Sequence, residues 1–371
     1  MNSTKNEKDL DKFQEKTSQR VRDYLDKSKV QKYFAPSDIE RGVWSYIRRP
    51  AKRLRPSVLL MACGCLGGED REPLALPAAA GVEIFHTWTL VHDDLIDNDR
   101  KRRGEPTVHA EIEEKAQQAP QRLNSILAKD YGRDVAILTG DMQHGWSVTC
   151  FLDCFLKHKV NPKVVIEIVH RLQSQVLGQL IEGETLDVQF GMEGLDEALK
   201  LSEEEIERML WLKTGVLYEF AGWAGALIGR NEYCPDDKQV VAIKNFTSNC
   251  GTAFQLQDDI LGIEGKEKDL GKPVGSDIKE GKKTVIVHEV LKNANDEQRE
   301  VIMRTLGNKK ASDDQIAAVT ALFRKLNGID RAKERAGDYI KKAKKELENI
   351  PDNRFSDLLD SWADRMIKRN R

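Results

Sequence analysis

The sequence predicts an all-α protein. Apolar residues recur at three- and four-residue spacing in segment after segment, with few alternating β-branched runs between them. Two of those segments open on the capping-box spacing, Ser37 with Glu40 and Ser202 with Glu205. Several, including 205–228, are apolar nearly all round, the pattern of a helix enclosed by other helices.

In chain order, the first 30 or so residues are densely charged and read as a peripheral helix. "SDIERGVWSYI" starts a helix at Ser37, and a new apolar helix begins at Pro56. Further helices are expected at 73–98 and 134–157, followed by a long one with Pro162 at its first position. The run opening at Ser202 ends at Gly229, and the helical pattern resumes after Asp236 to about Leu261. The last three lie at 312–325, 328–349 and 354–368. A few far exceed the globular mean of about 11–12 residues. The polar segments 115–133 and 264–284 read as loops, and "RMIKRNR" as a solvated basic tail. Neither a repeat nor a compositional break divides the chain, so 1–371 is expected to form one all-α domain.

Composition excludes several classes of function. Across 371 residues the formal net charge is -2, which gives no general electrostatic claim on nucleic acid or an anionic membrane. No apolar run approaches the roughly 18 residues that span a bilayer, so stable membrane insertion is not expected. The opening "MNSTKNEKDLDKFQEK" lacks an apolar signal core, which points to the cytoplasm. Six cysteines match no paired zinc spacing and read as reduced, packed thiols.

The chemistry concentrates at two acidic helix ends. Asp93 and Asp97 lie four apart after the apolar "GVEIFHTWTLV", so a helix would set both carboxylates on one face. Like charges there repel, and the negative end of the helix dipole adds to the cost. A hard divalent cation such as Mg²⁺ would compensate, sharing its sphere with water and phosphate. "NCGTAFQLQDDILGIEG" repeats the pattern at Asp258 and Asp259, with Gly262 where a full DDxxD would end in aspartate. Each acidic end is followed by bases: Arg100 to Arg103 after the first, and Lys268, Lys272, Lys279, Lys282 and Lys283 after the second. Lys52 and Arg55 precede a third apolar helix, and Lys213 and Thr214 interrupt a fourth. A lysine inside such a helix is costly unless it meets an anion. Together these features suggest two helix ends facing each other over an apolar cavity. The ligand that fits is an amphiphile with a diphosphate head and a hydrocarbon tail.

Five motifs in order carry a family resemblance. "LVHDDLIDNDRKRRGEPTVH" and "FQLQDDILGIEG" resemble the two aspartate-rich motifs of the trans-isoprenyl diphosphate synthases. "AKRLRP" is similar to their Gly-Lys-x-x-Arg-Pro element, with Ala51 in place of glycine. "LKTG" and "GKPVGSDIKEGKKT" resemble their lysine motifs, and the match runs from about residue 40 to 290. The resemblance implies an isoprenoid synthase fold of long antiparallel helices around a deep central cavity, usually as a homodimer. It implies condensation of isopentenyl diphosphate, head to tail, with dimethylallyl, geranyl or farnesyl diphosphate, dependent on Mg²⁺, commonly three ions. On that basis Asp93, Asp97 and Asp258 are the metal ligands, supported by Asp94, Asp259 and Asp277. Lys52, Arg55, His86 and Arg103 would hold isopentenyl diphosphate. Arg102, Lys213, Thr214, Gln255, Lys272 and Lys282 would hold the allylic diphosphate.

The implied mechanism ionises the allylic substrate, with Lys213, Lys272, Lys282 and the metal steadying the departing diphosphate. Thr214, Gln255 and nearby carbonyls would shield the cation, and the released diphosphate would take the proton. Trp88 and Thr89 lie more than one helical turn before Asp93. Bulk at Trp88 predicts a short product, farnesyl or geranylgeranyl diphosphate. Two other readings share some of these residues, a class I terpene cyclase and a non-catalytic regulatory subunit of a prenyl synthase.

Overall fold

The computed structural model describes residues 2–102, 104–119, 123–192, 194, 200–264 and 275–368. Its chain divides into two compact units. The first comprises Met1–Arg171, Ala221–Val241 and Pro351–Leu359; the second comprises Leu172–Phe220, Ala242–Ile350 and Asp360–Arg371. Among the described residues the only strands are a hairpin of two residues each, so the all-α expectation holds.

The first unit is built on α1 (Asn2–Asp26), α2 (Ser37–Arg48), α3 (Leu54–Arg71) and α4 (Leu76–Ile96). The hairpin β1 (Lys101–Arg102) and β2 (Glu105–Pro106) follows, then α5 (Val108–Gln118), α6 (Ser125–His158) and α7 (Pro162–Arg171). Helix α4 lies along α6, and its Ala78, Ala79 and Ala80 are fully buried, because small side chains let helix axes approach. Phe34, Trp44 and Trp146 meet edge to face, with centroids 5.0 to 6.4 Å apart. The Arg53 side chain is buried against Glu83 at 3.3 Å.

In the second unit a π-helical turn (Leu172–Val176) leads into α8 (Leu177–Met192), and α9 (Glu203–Leu210) leads into a second such turn (Trp211–Gly215). Next come α10 (Val216–Arg230), α11 (Lys238–Glu264) and α12 (Ser276–Glu280). Then follow α13 (Val285–Asn293), α14 (Asp296–Thr305), α15 (Asp313–Lys325), α16 (Gly328–Leu347) and α17 (Arg354–Lys368). Helices α10, α11 and α17 contribute residues to both units. The core of this unit gathers Ile260, Ile263, Ile286, Val290, Ile302 and Phe323. Arg331 and Arg335 of α16 clasp Glu203 and Glu207 of α9, each through paired hydrogen bonds of 2.5 to 2.9 Å.

Some sequence expectations need correction. The capping box at Ser202 and Glu205 forms, but Ser37 is the first helical residue of α2, not its cap. Pro36 caps instead, its carbonyl accepting from Ile39 N–H at 2.9 Å. The expected loop 115–133 is largely helical at both ends, since α5 runs to Gln118 and α6 starts at Ser125. Ala116 and Ala128 are buried there, one on each helix, small apolar residues that the surrounding charges hide in the sequence. Within 264–284, residues 276–280 are helical. Helix α1 is charged yet buries Leu10, Val21 and Leu25 completely. The run Leu54–Ile96 is long and apolar enough to cross a membrane, but 67% of its most apolar window is buried in the protein. All six cysteines are free thiols, five of them buried.

Candidate active site

In the first unit, α4 ends among acids in a closed turn. Asn98 adopts the left-handed conformation at φ 57°. Asp99 N–H bonds Asp94 O at 2.9 Å and Asn98 N–H bonds Leu95 O at 3.3 Å, the Schellman pattern. The chain then reverses through the β1–β2 hairpin, which Arg49 fastens by donating to Arg102 O at 3.1 Å and Pro106 O at 2.6 Å.

That reversal returns Arg102 to the helix end. Its Nε donates to both Asp94 oxygens at 2.6 and 2.8 Å, and its guanidinium reaches Asp93 Oδ2 at 3.0 Å. Asp94 is fully buried and also accepts from Tyr46 Oη. Burial lifts its proton affinity above the ordinary carboxylate range, against the opposing pull of Arg102. Asp93 is half-buried and Asp97 is exposed. The second carboxylate of the motif is therefore structural, and Asp93 and Asp97 are the two turned outward. Arg102, expected at an anion, is committed here to the two adjacent acids. Arg103 lies outside the described residues.

Upstream on the same helix, His86 Nε2 is 3.0 Å from Arg55 Nη1. Arginine can only donate, so this nitrogen accepts and the ring carries its proton on Nδ1. The structure thus joins two residues that the family resemblance assigns to one diphosphate, while Lys52 is exposed nearby in the chain. Arg53 between them is structural, donating to Ile47 O at 2.5 Å and Ser18 Oγ at 2.8 Å.

Trp88 is held in an aromatic cluster. Its ring lies 4.9 Å from Phe85, 5.7 Å from His92 and 5.0 Å from His144 of α6. Gly140 makes room for His92, since a Cβ there would stand 2.9 Å from the imidazole Cε1 and closer still to Nε2. Thr89 donates to His86 O at 2.8 Å, turning its hydroxyl into the helix.

The second unit gathers the other motifs. On α11, Asp258 is half-buried and Asp259 is buried. A short chain runs from Thr214 Oγ1 to Gln255 Oε1 at 2.6 Å, and from Gln255 Nε2 to Asp259 Oδ1 at 3.0 Å. Asp259 Oδ2 is buried without a hydrogen-bond partner. Burial, and then the neighbouring Asp277 charge, push this carboxyl up to about 8. Lys282 lies 3.5 Å from Asp277 and 3.4 Å from Glu280. Lys283 is buried and donates to Gly281 O. Lys268 and Lys272 lie outside the described residues.

The shortened aspartate motif has a steric explanation. A Cβ on Gly262 would stand 2.9 Å from Asp277 Cγ and closer still to Oδ2. The carboxylate of Asp277 occupies the space that a side chain at 262 would enter.

Lys213 sits in the Trp211–Gly215 π-helical turn, a distortion that re-aims side chains and recurs at functional sites. Its ammonium lies 2.5 Å from Asp187 and 3.1 Å from Glu184 of α8. The anion that an embedded lysine requires is therefore, in the first place, the protein's own. Sequence reasoning missed both acids, because "EGETLDVQ" reads as an ordinary solvated helix face. Among the described residues no three of His, Cys, Asp or Glu already form a metal cage.

Comparison with known proteins gives the same class. Residues 37–323 match the family model "Polyprenyl synthetase". The geranylgeranyl diphosphate synthase of Saccharolobus solfataricus is 34% identical over 84% of this chain and 84% of its own. The geranylfarnesyl diphosphate synthase of Aeropyrum pernix is 31% identical over 87% of this chain and 92% of its own. Among solved structures, geranylgeranyl pyrophosphate synthase from Corynebacterium glutamicum, complexed with isoprenyl diphosphate and magnesium, aligns with TM-score 0.82 at 27% identity. That alignment covers 97% of this chain and 99% of the other. Geranylgeranyl pyrophosphate synthetase from Pyrococcus horikoshii aligns with TM-score 0.77 at 28% identity, over 96% and 99%. The fold is the all-α isoprenoid synthase fold. The chain belongs to the polyprenyl synthetase family. It is a prenyltransferase of the isoprenyl diphosphate synthase class.

Proposed function

We propose that the protein is a short-chain trans-isoprenyl diphosphate synthase. It condenses isopentenyl diphosphate with an allylic diphosphate to give farnesyl or geranylgeranyl diphosphate. One observation carries the reading: Asp258, Asp259 and Asp277 gather with Lys282 and the Gln255–Thr214 chain around the orphaned Asp259 oxygen. A buried acid without a partner beside other acids calls for a cation, and a cation held there would attract a diphosphate.

The donor set is all carboxylate oxygen, which fits Mg²⁺. On the family resemblance, Asp93 and Asp97 in the first unit and Asp258 in the second would each offer carboxylate oxygen to such an ion, with most of its sphere left to water and phosphate. When bound, the metal supplies positive charge against the charge developing on the leaving diphosphate. Lys213, Lys282 and Lys272 hold the same diphosphate from the protein side. As the allylic C–O bond breaks, the bonding electrons leave with diphosphate, and their ammonium groups steady the charge. The Thr214 hydroxyl and Gln255 amide, already linked at 2.6 Å, present fixed dipoles to the allylic cation. The double bond of isopentenyl diphosphate attacks that cation, with its own diphosphate held by Lys52, Arg55, Arg103 and the His86 ring. The released diphosphate takes the proton that is then lost, so no histidine base is needed.

Trp88, braced on three rings, sets the floor that stops the growing chain. Two copies associate through the exposed face of α6. Leu127, Leu138, Leu152 and Leu156 are 39 to 64% exposed at heptad-like spacing there. The test is incubation with labelled isopentenyl diphosphate, each allylic primer and Mg²⁺, followed by product sizing. A single short product, lost on chelation with EDTA, is expected. Diphosphate release from the primer alone would indicate a cyclase. An inert protein that activates a related synthase would indicate a regulatory subunit.

A further inference from the structure

We propose that Asp187, backed by Glu184, is the positioning residue for Lys213 of the allylic diphosphate site. It holds the Lys213 ammonium in place in readiness for a diphosphate. This deepens the synthase reading and rests on it.

Geometry carries the argument. Lys213 meets Asp187 at 2.5 Å and Glu184 at 3.1 Å, and all three side chains are about one-fifth exposed. A lysine that only needed a structural partner would be satisfied by one acid on the solvated side. The two helices are also brought unusually close at this point. A Cβ on Gly183 would lie 2.5 Å from Lys213 N and 2.7 Å from Leu212 C, so α8 touches the π-helical turn through backbone. That approach fixes where the acids of α8 stand relative to Lys213. Lys282, also assigned to this diphosphate, is itself paired with Asp277 at 3.5 Å and Glu280 at 3.4 Å.

A lysine held by two fixed acids keeps one place in the empty site, and less rearrangement remains when diphosphate binds. Asp277 and Glu280 hold Lys282, and Asp187 and Glu184 hold Lys213.

The experiment compares the full-length protein with Asp187→Asn, which keeps shape and removes charge. The expected result is a roughly tenfold rise in KM for the allylic diphosphate, the scale of one lost charged hydrogen bond. KM for isopentenyl diphosphate stays unchanged and thermal unfolding shifts little. Calorimetry with inorganic diphosphate and Mg²⁺ shows the same weakening, and Asp187→Glu recovers most of it. An unchanged allylic KM overturns the inference. So does an equal rise in both KM values with lost stability, which marks a purely structural acid. If the parent protein makes no product from any primer, the synthase reading fails. The calorimetry then still decides the role of Asp187, and equal diphosphate affinity in parent and variant overturns it.

Discussion

Restoring the aspartate that the second motif lacks should damage the protein. Gly262→Asp completes DDxxD in sequence, yet a Cβ there stands 2.9 Å from Asp277 Cγ and closer to its oxygen. Ordinary carbon–carbon contact begins near 3.5 Å, so the Asp277 carboxylate must retreat by more than half an ångström. Overpacking of this kind costs about 1–3 kcal/mol. A further carboxylate beside Asp277 and the buried Asp259 adds repulsion. Replacing a helical glycine returns only a few tenths of a kcal/mol for aspartate. The net expectation is a loss of about 1–3 kcal/mol in urea unfolding, with synthase activity falling as Asp277 moves relative to Lys282.

Gly262→Ala separates bulk from charge. Its helix-propensity gain of about 1 kcal/mol leaves a smaller loss. The double variant Gly262→Asp/Asp277→Gly carries the carboxylate across to the other backbone and should regain most of the stability. A coupling of about 0.5–3 kcal/mol between the two positions is expected. Gly262→Asp as stable as the parent, or a double variant no better than the single, would refute the steric argument.

Trp88→Ala removes the ring braced by Phe85, His92 and His144 and should lengthen the product by one or more isoprene units; an unchanged product rejects the floor role. Arg102→Lys keeps the charge but loses the two-oxygen grip on fully buried Asp94, and should cost about 1–3 kcal/mol in denaturant unfolding. Stability within error of the parent would mean that Asp94 has other support. Leu138→Glu with Leu152→Glu places charges on the exposed face of α6 and should shift sedimentation from dimer to monomer. An unchanged sedimentation coefficient would refute the proposed association through this face.

Most of the helices were legible because their signals are local. Apolar spacing, a capping box or a proline at a helix start involves residues within about four positions of each other. The acidic helix ends and the interrupted helix at Lys213 were legible for the same reason: each breaks a local pattern. The stretch 115–133 was misread because a helix whose buried stripe is mostly alanine leaves little hydropathy contrast.

The chain alone determined the all-α class and the order of its motifs, and it supplied the residues proposed to bind metal and diphosphate. Tertiary structure alone decided partners. It set Asp187 on Lys213 from 26 positions away and filled the space at Gly262 with Asp277. It also turned Arg102 back onto Asp94 and gave Trp88 its brace from His144. Such pairings depend on how helices pack and how charges lose water on burial, and neither follows from residues adjacent in sequence.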